Sequence, residues 1–426
     1  MVQADLIIEA AAELVTLSGE GVRPRRGAEM QELGILRHGA LAARRGTIAW
    51  IGPTTELREA VQPLAFSRWI DATGKTVLPG LVDAHTHLVF AGSRENEFAL
   101  RIQGKSYQEI AAAGGGINAT VAATRQASKE ALKRLARRSL DRMLVHGTTT
   151  AEAKSGYGLD LAAELKILEV IRELNTEGPV ELVPTFLGAH ETPPEFRDNP
   201  QAYVDLVVTR MLPVVASRKL AKFCDVFCEA GVFSPEQAER ILRAAADLGL
   251  ESRIHADEMT DQGAAALAAR LRARTAEHLL LANDDGIRRM AQAGTIAVLL
   301  PGTAYFLNLG RYARARDMIA AEVPVALGTD FNPGSCMTES LPLILSLACT
   351  QMRMLPAEAI TAATINAAWA VGSANQVGSL EVGKQADLLV LDAPSHQHLC
   401  YHFGVNLIDK VVKRGRIVTE GGVRVQ

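Results

Sequence analysis

The side chains best suited to chemistry in this sequence share one context, since each ends or closely follows a short apolar run. They are His85, His87, His190, His255, His278 and Asp330. Residues two apart in an extended segment face the same side, so the first two of these histidines can offer two imidazoles to one ion. A His-x-His pair alone is weak support for a metal site, but five of the ten histidines end such runs. The pattern predicts a metal centre built from histidines and a carboxylate, with a position left open for water.

The predicted donor set indicates metal-assisted hydrolysis. Imidazoles with a carboxylate suit zinc and iron(II) equally, so the residue types do not choose between these metals. A divalent ion there would polarise a carbonyl and lower the pKa of a bound water towards ~7. Glu258, three residues after His255, could carry protons between that water and a ring nitrogen. Asp330 could accept the proton of the water while also holding the metal, which is a hypothesis at this point.

Eight apolar runs must position these residues, and stretches of helical period separate them. The runs cover residues 77–85, 147–154, 180–190, 224–229, 252–257, 275–279, 295–301 and 323–330. Strands that alternate with helices over about 300 residues predict a (β/α)8 barrel of the α/β class, in which catalytic residues sit at the carboxyl ends of the strands. This is where the histidines and the aspartate lie.

The two ends of the chain have a different character, with short β-rich segments separated by turn residues. Because the termini of compact domains often lie close together, we expect the ends to form one domain. The predicted division is a composite β domain over residues 1–75 and 376–426, interrupted by a catalytic barrel over residues 76–375.

Composition and charge exclude several classes of protein. The chain has 426 residues, of which 48% are hydrophobic and 22% charged, a profile typical of a well-packed soluble protein. A net charge of −3 offers no basic surplus for nucleic acid. We find neither an export signal nor the roughly 18-residue apolar run that a membrane span requires. We therefore expect a cytoplasmic protein with no nucleic-acid or membrane partner.

The five cysteines argue against both a disulfide framework and a structural zinc site. They are an odd number without a C-x-x-C pair, at positions 224, 228, 336, 349 and 400. Reduced thiols suit the cytoplasm.

Longer motifs carry a resemblance to a known family. The segment V-D-A-H-T-H-L (82–88) resembles the first-strand motif of the amidohydrolase superfamily, and His255, His278 and G-T-D (328–330) follow in the matching order. A closer resemblance, to the imidazolonepropionase family, rests on seven further segments. They are A-G-S-R-E-N-E-F (91–98), G-K-S-Y (104–107), A-G-G-G-I (113–117), A-K-S-G-Y-G-L (153–159), L-G-A-H-E-T-P-P-E (187–195), H-A-D-E (255–258) and T-D-F-N-P-G-S (329–335).

The resemblance covers essentially the whole chain and implies a fold, a reaction and a set of roles. It implies a TIM-like barrel with a β-sandwich, one zinc or iron ion per subunit, and a possible homodimer. It implies hydrolytic ring opening of 4-imidazolone-5-propanoate to N-formimidoyl-L-glutamate in histidine degradation. The implied metal ligands are His85, His87, His255 and Asp330. The implied substrate contacts are Arg94, Tyr157, His190, Glu258, Asn332, Gly334 and Ser335.

Elementary chemistry supports several of these roles. Arg94 offers a planar fork that can hold the propionate of the substrate through two hydrogen bonds. Tyr107 and Tyr157 could donate hydroxyl hydrogen bonds. His278 could stabilise the oxyanion or assist proton transfer, so Glu258, His278 and Asp330 are the candidate catalytic residues. Gly334 and Ser335 could present backbone and hydroxyl donors near Asp330.

Some alternatives remain open. A carboxylated lysine of the binuclear type belongs on the fourth strand, whereas Lys154 falls on the second. A second metal between Glu229, His255 and His278 is not favoured. A ring deaminase of the same superfamily, acting on a purine, pyrimidine or triazine, could use the same metal set and the same His255-x-x-Glu258 spacing. A non-catalytic binding protein on the same barrel is a third reading, because a fold alone implies no activity.

Overall fold

The N-terminal strands belong to a sheet that is completed by the other end of the chain. The computed structural model describes residues 1–19, 22–105, 109 and 115–425. The first five strands are β1 (Val2–Val15), β2 (Ile35–Arg44), β3 (Thr47–Pro53), β4 (Val61–Asp71) and β5 (Thr76–Pro79). The long strand β1 pairs antiparallel with β2 and parallel with both β4 and β5.

The next eight strands form the predicted barrel. They are β6 (Leu81–Asp83), β7 (Thr148–Lys154), β8 (Glu181–Ala189), β9 (Phe223–Cys228), β10 (Glu251–Ala256), β11 (Thr275–His278), β12 (Ile296–Leu299) and β13 (Val325–Leu327). Each strand pairs parallel with its neighbour in chain order. A parallel bridge between Thr86 and Phe331 joins the first strand to the last. The prediction of a (β/α)8 barrel is confirmed.

The C-terminal strands return to the first sheet, as the sequence indicated. They are β14 (Leu388–Leu391), β15 (Ile408–Lys413), β16 (Arg416–Glu420) and β17 (Val423–Arg424). Strand β14 pairs antiparallel with β5, so the two ends of the chain form one nine-stranded sheet. A buried cluster joins both ends, with Leu6 and Ile8 from β1 and Leu388 and Val390 from β14.

The passage from this sheet into the barrel differs from the predicted first strand over residues 77–85. The structure splits that run at Gly80, with β5 in the terminal sheet and β6 in the barrel. A Cβ at Gly80 would collide with the side chain of Thr149 on β7, so the chain needs a glycine to cross at this point. Periodicity could not show the break, because both halves of the run are apolar and extended. The division into two domains stays our proposal, and β5 extends the terminal sheet to residue 79.

Helices cover the outside of the barrel and the connections beside it. Those of six residues or more are Glu95–Ile102, Ile117–Gln126, Lys129–Val145, Leu161–Glu177, Pro200–Leu206, Leu212–Ser217, Pro235–Asp247, Ala264–Arg270, Asp284–Ala293, Pro301–Phe306, Ala315–Ala320, Leu341–Met352, Pro356–Ala362 and Ile365–Ala370. The shorter helices are Gly27–Gln31, Thr54–Glu56, Leu57–Ala60, Pro194–Phe196, Val207–Met211 and His398–Tyr401.

The helix Pro235–Asp247 shows why such segments are helical. Ser234 Oγ accepts a hydrogen bond from the Gln237 amide, and Gln237 Oε1 accepts one from the Ser234 amide. This capping box satisfies amides that the first turn leaves without partners. Ala238, Ile241, Leu242 and Ala245 then form one buried stripe against the barrel. Within the described residues, none of the helices has the length and apolar character needed to cross a membrane.

Candidate active site

Three of the predicted metal ligands meet at one point at the carboxyl end of the barrel. His85 and His87 follow β6, and Asp330 lies three residues beyond β13. His85 Nε2 lies 3.3 Å from both His87 Nε2 and Asp330 Oδ1. His87 Nε2 lies 3.4 Å from the same Oδ1 atom. These three buried donor atoms converge because the closure of the barrel places the first strand beside the last.

The fourth predicted ligand, His255 on β10, faces the same point from across the barrel. One ring nitrogen of His255 lies within 4.8 Å of ligand atoms of both His85 and His87. His255 Nε2 and Asp330 Oδ1 are buried, and neither has a hydrogen-bond partner among the described residues. Buried lone pairs without a donor are costly unless a cation satisfies them. The donor set therefore fits a divalent metal ion, although it does not distinguish zinc from iron.

Two buried carboxylates contact His85 and His255 on the Nδ1 side of each ring. Glu277 Oε2 lies 2.5 Å from His85 Nδ1, and Asp225 Oδ2 lies 3.0 Å from His255 Nδ1. Burial opposes the ionisation of Asp225, but the charges of His255 and Lys154 hold its pKa below the usual range. Such carboxylates orient histidine ligands and keep the proton on Nδ1, which leaves Nε2 free to bind a metal.

A buried network of charges supports these two carboxylates. Lys154 Nζ lies 2.8 Å from Asp225 Oδ2, 2.9 Å from Glu277 Oε2 and 3.0 Å from Glu152 Oε1. The Arg253 guanidinium donates to Glu277 Oε1 at 2.7 Å. Lys154 thus lies on the second barrel strand and is paired with three buried carboxylates.

Sequence reasoning missed four members of this network, namely Glu152, Asp225, Arg253 and Glu277. A signal was present, because charged residues inside fully buried parallel strands are rare unless they are paired. The segments E-A-K (152–154), R-I-H (253–255) and E-H (277–278) have this pattern.

The backbone and a neighbouring threonine orient Asp330. Its φ is +53°, in the left-handed region that residues other than glycine rarely adopt. Thr303 Oγ1 donates a hydrogen bond to Asp330 Oδ2, which directs Oδ1 towards the histidines. Thr303 lies in the helix after β12, and its role was missed because no local motif marks it.

The two remaining candidate catalytic residues form a pair beside the convergent ligands. Glu258 Oε1 lies 3.6 Å from His278 Nδ1. Burial raises the pKa of Glu258 to about 8, and the negative charges of Asp330 and Glu229 act in the same direction. Burial lowers the pKa of His278 to about 3. At neutral pH the pair is therefore a largely protonated carboxyl group next to a neutral imidazole.

Two predicted substrate contacts, His190 and Tyr157, lie against the histidine pair. The His190 ring stacks on His87 with a centroid distance of 4.9 Å and an interplanar angle of 19°. The Tyr157 ring lies 5.3 Å from that of His190 and 5.7 Å from that of His87. Burial raises the pKa of Tyr157, so its hydroxyl remains a hydrogen-bond donor at neutral pH.

Arg94 reaches the loop that follows Asp330, but it is already paired. Its Nε and Nη2 lie 2.9 Å and 2.8 Å from Glu97 Oε2, which leaves Nη1 for another ligand. Gly334 lies directly against this guanidinium, where a Cβ would collide with Nη1. Only glycine at position 334 leaves room for the Arg94 side chain in this position.

Asn332 holds the loop in shape. Its Oδ1 accepts hydrogen bonds from the amides of Gly334 and Ser335, each at 2.8 Å. Its Nδ2 donates to Ser335 Oγ at 2.7 Å. The predicted backbone donors of Gly334 and Ser335 are thus already used by Asn332. Tyr107, also a predicted substrate contact, lies outside the described residues.

Glu229, the carboxylate considered for a second metal, accepts hydrogen bonds from three nearby groups. Its carboxylate accepts hydrogen bonds from the Met259 amide at 2.8 Å, from the Ala230 amide at 3.0 Å and from Thr260 Oγ1. These bonds hold the loop that carries Glu258.

The chain is similar to known proteins over nearly its whole length. The profile of the amidohydrolase family matches residues 76–418. A Geobacillus kaustophilus protein named imidazolonepropionase is 53% identical over 418 residues, which are 98% of each chain. A Symbiobacterium thermophilum protein of the same name is 54% identical and covers 99% of each chain. The solved structure of an adenosine deaminase from Xanthomonas campestris with bound zinc is 20% identical, has a TM-score of 0.68 and covers 100% of this chain and 95% of its own. That last likeness concerns the fold.

Proposed function

Since the chain belongs to the amidohydrolase family, and within it to the family of proteins named imidazolonepropionase, we propose that it opens the ring of 4-imidazolone-5-propanoate by hydrolysis. The product is N-formimidoyl-L-glutamate, an intermediate of histidine degradation. The observation that carries the proposal is identity of 53% over 98% of the chain to a relative of that name. The buried donor set beside Glu258 and His278 supports it.

The proposed metal ligands are His85, His87, His255 and Asp330, which would hold one zinc or iron ion. When bound, the ion supplies Lewis acidity towards a carbonyl oxygen and makes water a stronger acid. Glu277 and Asp225 keep the ring protons of His85 and His255 on Nδ1. In addition to helping to hold the ion, Asp330 is the proposed acceptor for the proton of the attacking water.

Glu258 or His278 supplies the proton that the leaving nitrogen needs. Water adds to the ring carbonyl, and the bond between that carbon and the adjacent ring nitrogen breaks. This nitrogen leaves as an anion unless it is protonated. Glu258, with a pKa of about 8, holds a proton at neutral pH. The neutral His278 beside it can stabilise the oxyanion or assist the proton transfer.

Arg94 is the proposed anchor for the propionate. Glu97 occupies its Nε edge, so Nη1 remains to bind a carboxylate next to the loop around Gly334. Tyr157 and His190 contact the ring of the substrate in this proposal, and Asn332 and Ser335 belong to the loop that lies against Arg94. A charge-assisted bond to the carboxylate places the scissile bond near the metal ligands.

The alternative function is ring deamination, since deaminases share this fold. The relatives of high identity favour the hydrolase, and an anchor for a carboxylate suits the imidazolone substrate better than an uncharged ring. A non-catalytic binding protein is less well supported. It would not require a buried set of metal donors whose lone pairs lack partners among the described residues.

The test is the loss of ultraviolet absorbance of freshly prepared 4-imidazolone-5-propanoate, measured against a protein-free control because the compound decays by itself. We expect loss that depends on protein and that a chelator abolishes. Ammonia is assayed in parallel, because a deaminase releases one equivalent and ring opening releases none. A metal-loaded sample that does not accelerate the decay would overturn the proposal.

Other features of the protein in solution belong to the same proposal. We propose a cytoplasmic homodimer that has neither nucleic acid nor a membrane as a partner. The described cysteines are all free thiols, which suits a reducing compartment. Sedimentation of the metal-loaded protein would test the dimer.

A further inference from the structure

A fully buried carboxylate outside the metal site organises the loop that carries Tyr157. Glu164 lies in the first turn of the helix Leu161–Glu177, and its side chain is inaccessible to solvent. Its Oε1 accepts hydrogen bonds from the amides of Gly158 at 2.8 Å and Leu159 at 2.9 Å. The amide of Gly156 donates to both oxygens, at 3.1 Å and 3.0 Å. One carboxylate thus binds three backbone amides of the six-residue loop 155–160.

The glycines of this loop are required by its geometry. Gly156 has a φ of +105°, which a residue with a Cβ rarely adopts. A Cβ at Gly158 would lie 2.6 Å from the Glu164 amide nitrogen. The loop is therefore pressed against the start of the helix, with Glu164 as its central acceptor.

The same loop determines which nitrogen of His190 carries a proton. His190 Nδ1 lies 3.0 Å from the carbonyl oxygen of Gly156. A carbonyl oxygen only accepts, so Nδ1 must donate, and in the neutral ring Nε2 is then an acceptor. Glu164 binds the amide of Gly156, and the carbonyl of the same residue binds His190.

We propose that Glu164 is a positioning residue that acts through Gly156 to hold His190 with its proton on Nδ1, so that Nε2 accepts a ring N–H of the substrate. The inference rests on the proposed function for the identity of that substrate. It also gives a reason for specificity, because an acceptor at Nε2 selects a ring that presents N–H at this position. A ring with a lone pair there would be rejected.

Heteronuclear NMR of protein labelled with 15N-histidine tests the arrangement without substrate. The resonances of His190 are assigned by their disappearance in His190→Asn. We expect a protonated Nδ1 and an unprotonated Nε2 in the wild-type protein. A proton on Nε2 would overturn the proposal, and this measurement needs no variant at position 164.

The variant Glu164→Gln tests the coupling, because its amide group keeps the volume and replaces one acceptor oxygen with a donor. We expect the His190 resonances to move towards a mixture of tautomers and kcat/KM to fall roughly tenfold or more, as a buried polar group is left without its partner. The control is Glu169→Gln on the same helix, since Glu169 pairs with Lys129 and Arg218 at the surface. Unchanged His190 resonances in folded Glu164→Gln would contradict the coupling.

The two proposals can fail separately. If the imidazolone is not a substrate but the His190 resonances behave as expected, Glu164 still positions the histidine and the assigned substrate is wrong. If hydrolysis occurs and Glu164→Gln leaves both the resonances and kcat/KM unchanged, the positioning role is wrong and the proposed function stands.

Discussion

Lys154 Nζ lies 2.9 Å from Glu277 Oε2, the same oxygen that lies 2.5 Å from His85 Nδ1. One carboxylate oxygen therefore links a buried ammonium to a proposed metal ligand. The lysine stabilises the ionised carboxylate, and this carboxylate lies against Nδ1 of the imidazole. The charge beside the proposed metal ligand His85 is thus set in the interior of the barrel, on strands β7 and β11.

Replacing the lysine should destabilise the protein strongly. Lys154→Met leaves three buried carboxylates of the network with Arg253 as their remaining buried cation. Removing one partner of a buried ion pair costs about 3–5 kcal/mol. Urea unfolding of the variant measures this loss in the free energy of unfolding. The control is Lys129→Met, which breaks partly exposed ion pairs with Glu169 and Glu173 and should cost less than about 1 kcal/mol. Equal losses in the two variants would refute the role of the network.

Removing the metal or one of its ligands should abolish activity and leave a folded protein. We expect chelation to stop the reaction and stoichiometric zinc or iron to restore it. His255→Asn should bind less than stoichiometric metal by elemental analysis, because its Nε2 is one of the converging donors. His402→Asn, at an exposed position, is the matched control and should retain full metal content. Full content in both variants would remove His255 from the ligand set.

Removing the proposed anchor should weaken substrate binding much more than metal binding. In Arg94→Ala we expect a rise in KM that corresponds to about 2–5 kcal/mol, the usual cost of breaking a desolvated charge pair. Steady-state kinetics measure this effect, and elemental analysis should find unchanged metal. A substrate analogue without the carboxylate is the control, since the substitution should hardly affect its turnover. An unchanged KM for the natural substrate would discard Arg94 as the anchor.

The protonation of Glu258 should appear in the pH dependence of kcat. Its pKa is raised to about 8, so the carboxyl group carries its proton below that pH and loses it above. A proton donor with this pKa predicts that kcat falls as the pH rises through about 8. Glu258→Gln cannot transfer a proton and should lose about 10²- to 10⁴-fold in kcat, together with this limb of the profile. A wild-type kcat that stays constant from pH 7 to 9.5 would exclude the role.

The hydroxyl of Thr303 should matter for the metal, although it is not a ligand. Thr303→Val removes the hydrogen bond to Asp330 Oδ2 at nearly constant volume. We expect metal affinity to fall about 10- to 100-fold, the usual cost of losing a group that orients a ligand. Competition with a chromophoric chelator measures this affinity. Thr209→Val, where the hydroxyl donates to a helix carbonyl at the surface, should have no effect.

Local patterns mark the residues that bind metal in our proposal as candidates together with His278, and the family resemblance selects four of these five. Each ends a short apolar run, and the carboxyl ends of barrel strands meet at one face whatever the details of the packing. The same reasoning predicted eight strands and a sheet formed by both ends, and both predictions are confirmed. The split of the first run at Gly80 was missed, since two extended apolar segments in succession have no internal marker.

What surrounds the ligands depends on contacts that no short stretch of sequence contains. Glu277 reaches His85, Asp225 reaches His255, and Thr303 reaches Asp330 only after the barrel closes and brings distant strands together. The pKa of Glu258 likewise follows from its burial beside Asp330 and Glu229. Side-chain type and spacing are local properties and can be read directly. The charge, tautomer and orientation of those side chains come from long-range packing, and therefore only the tertiary structure decides them.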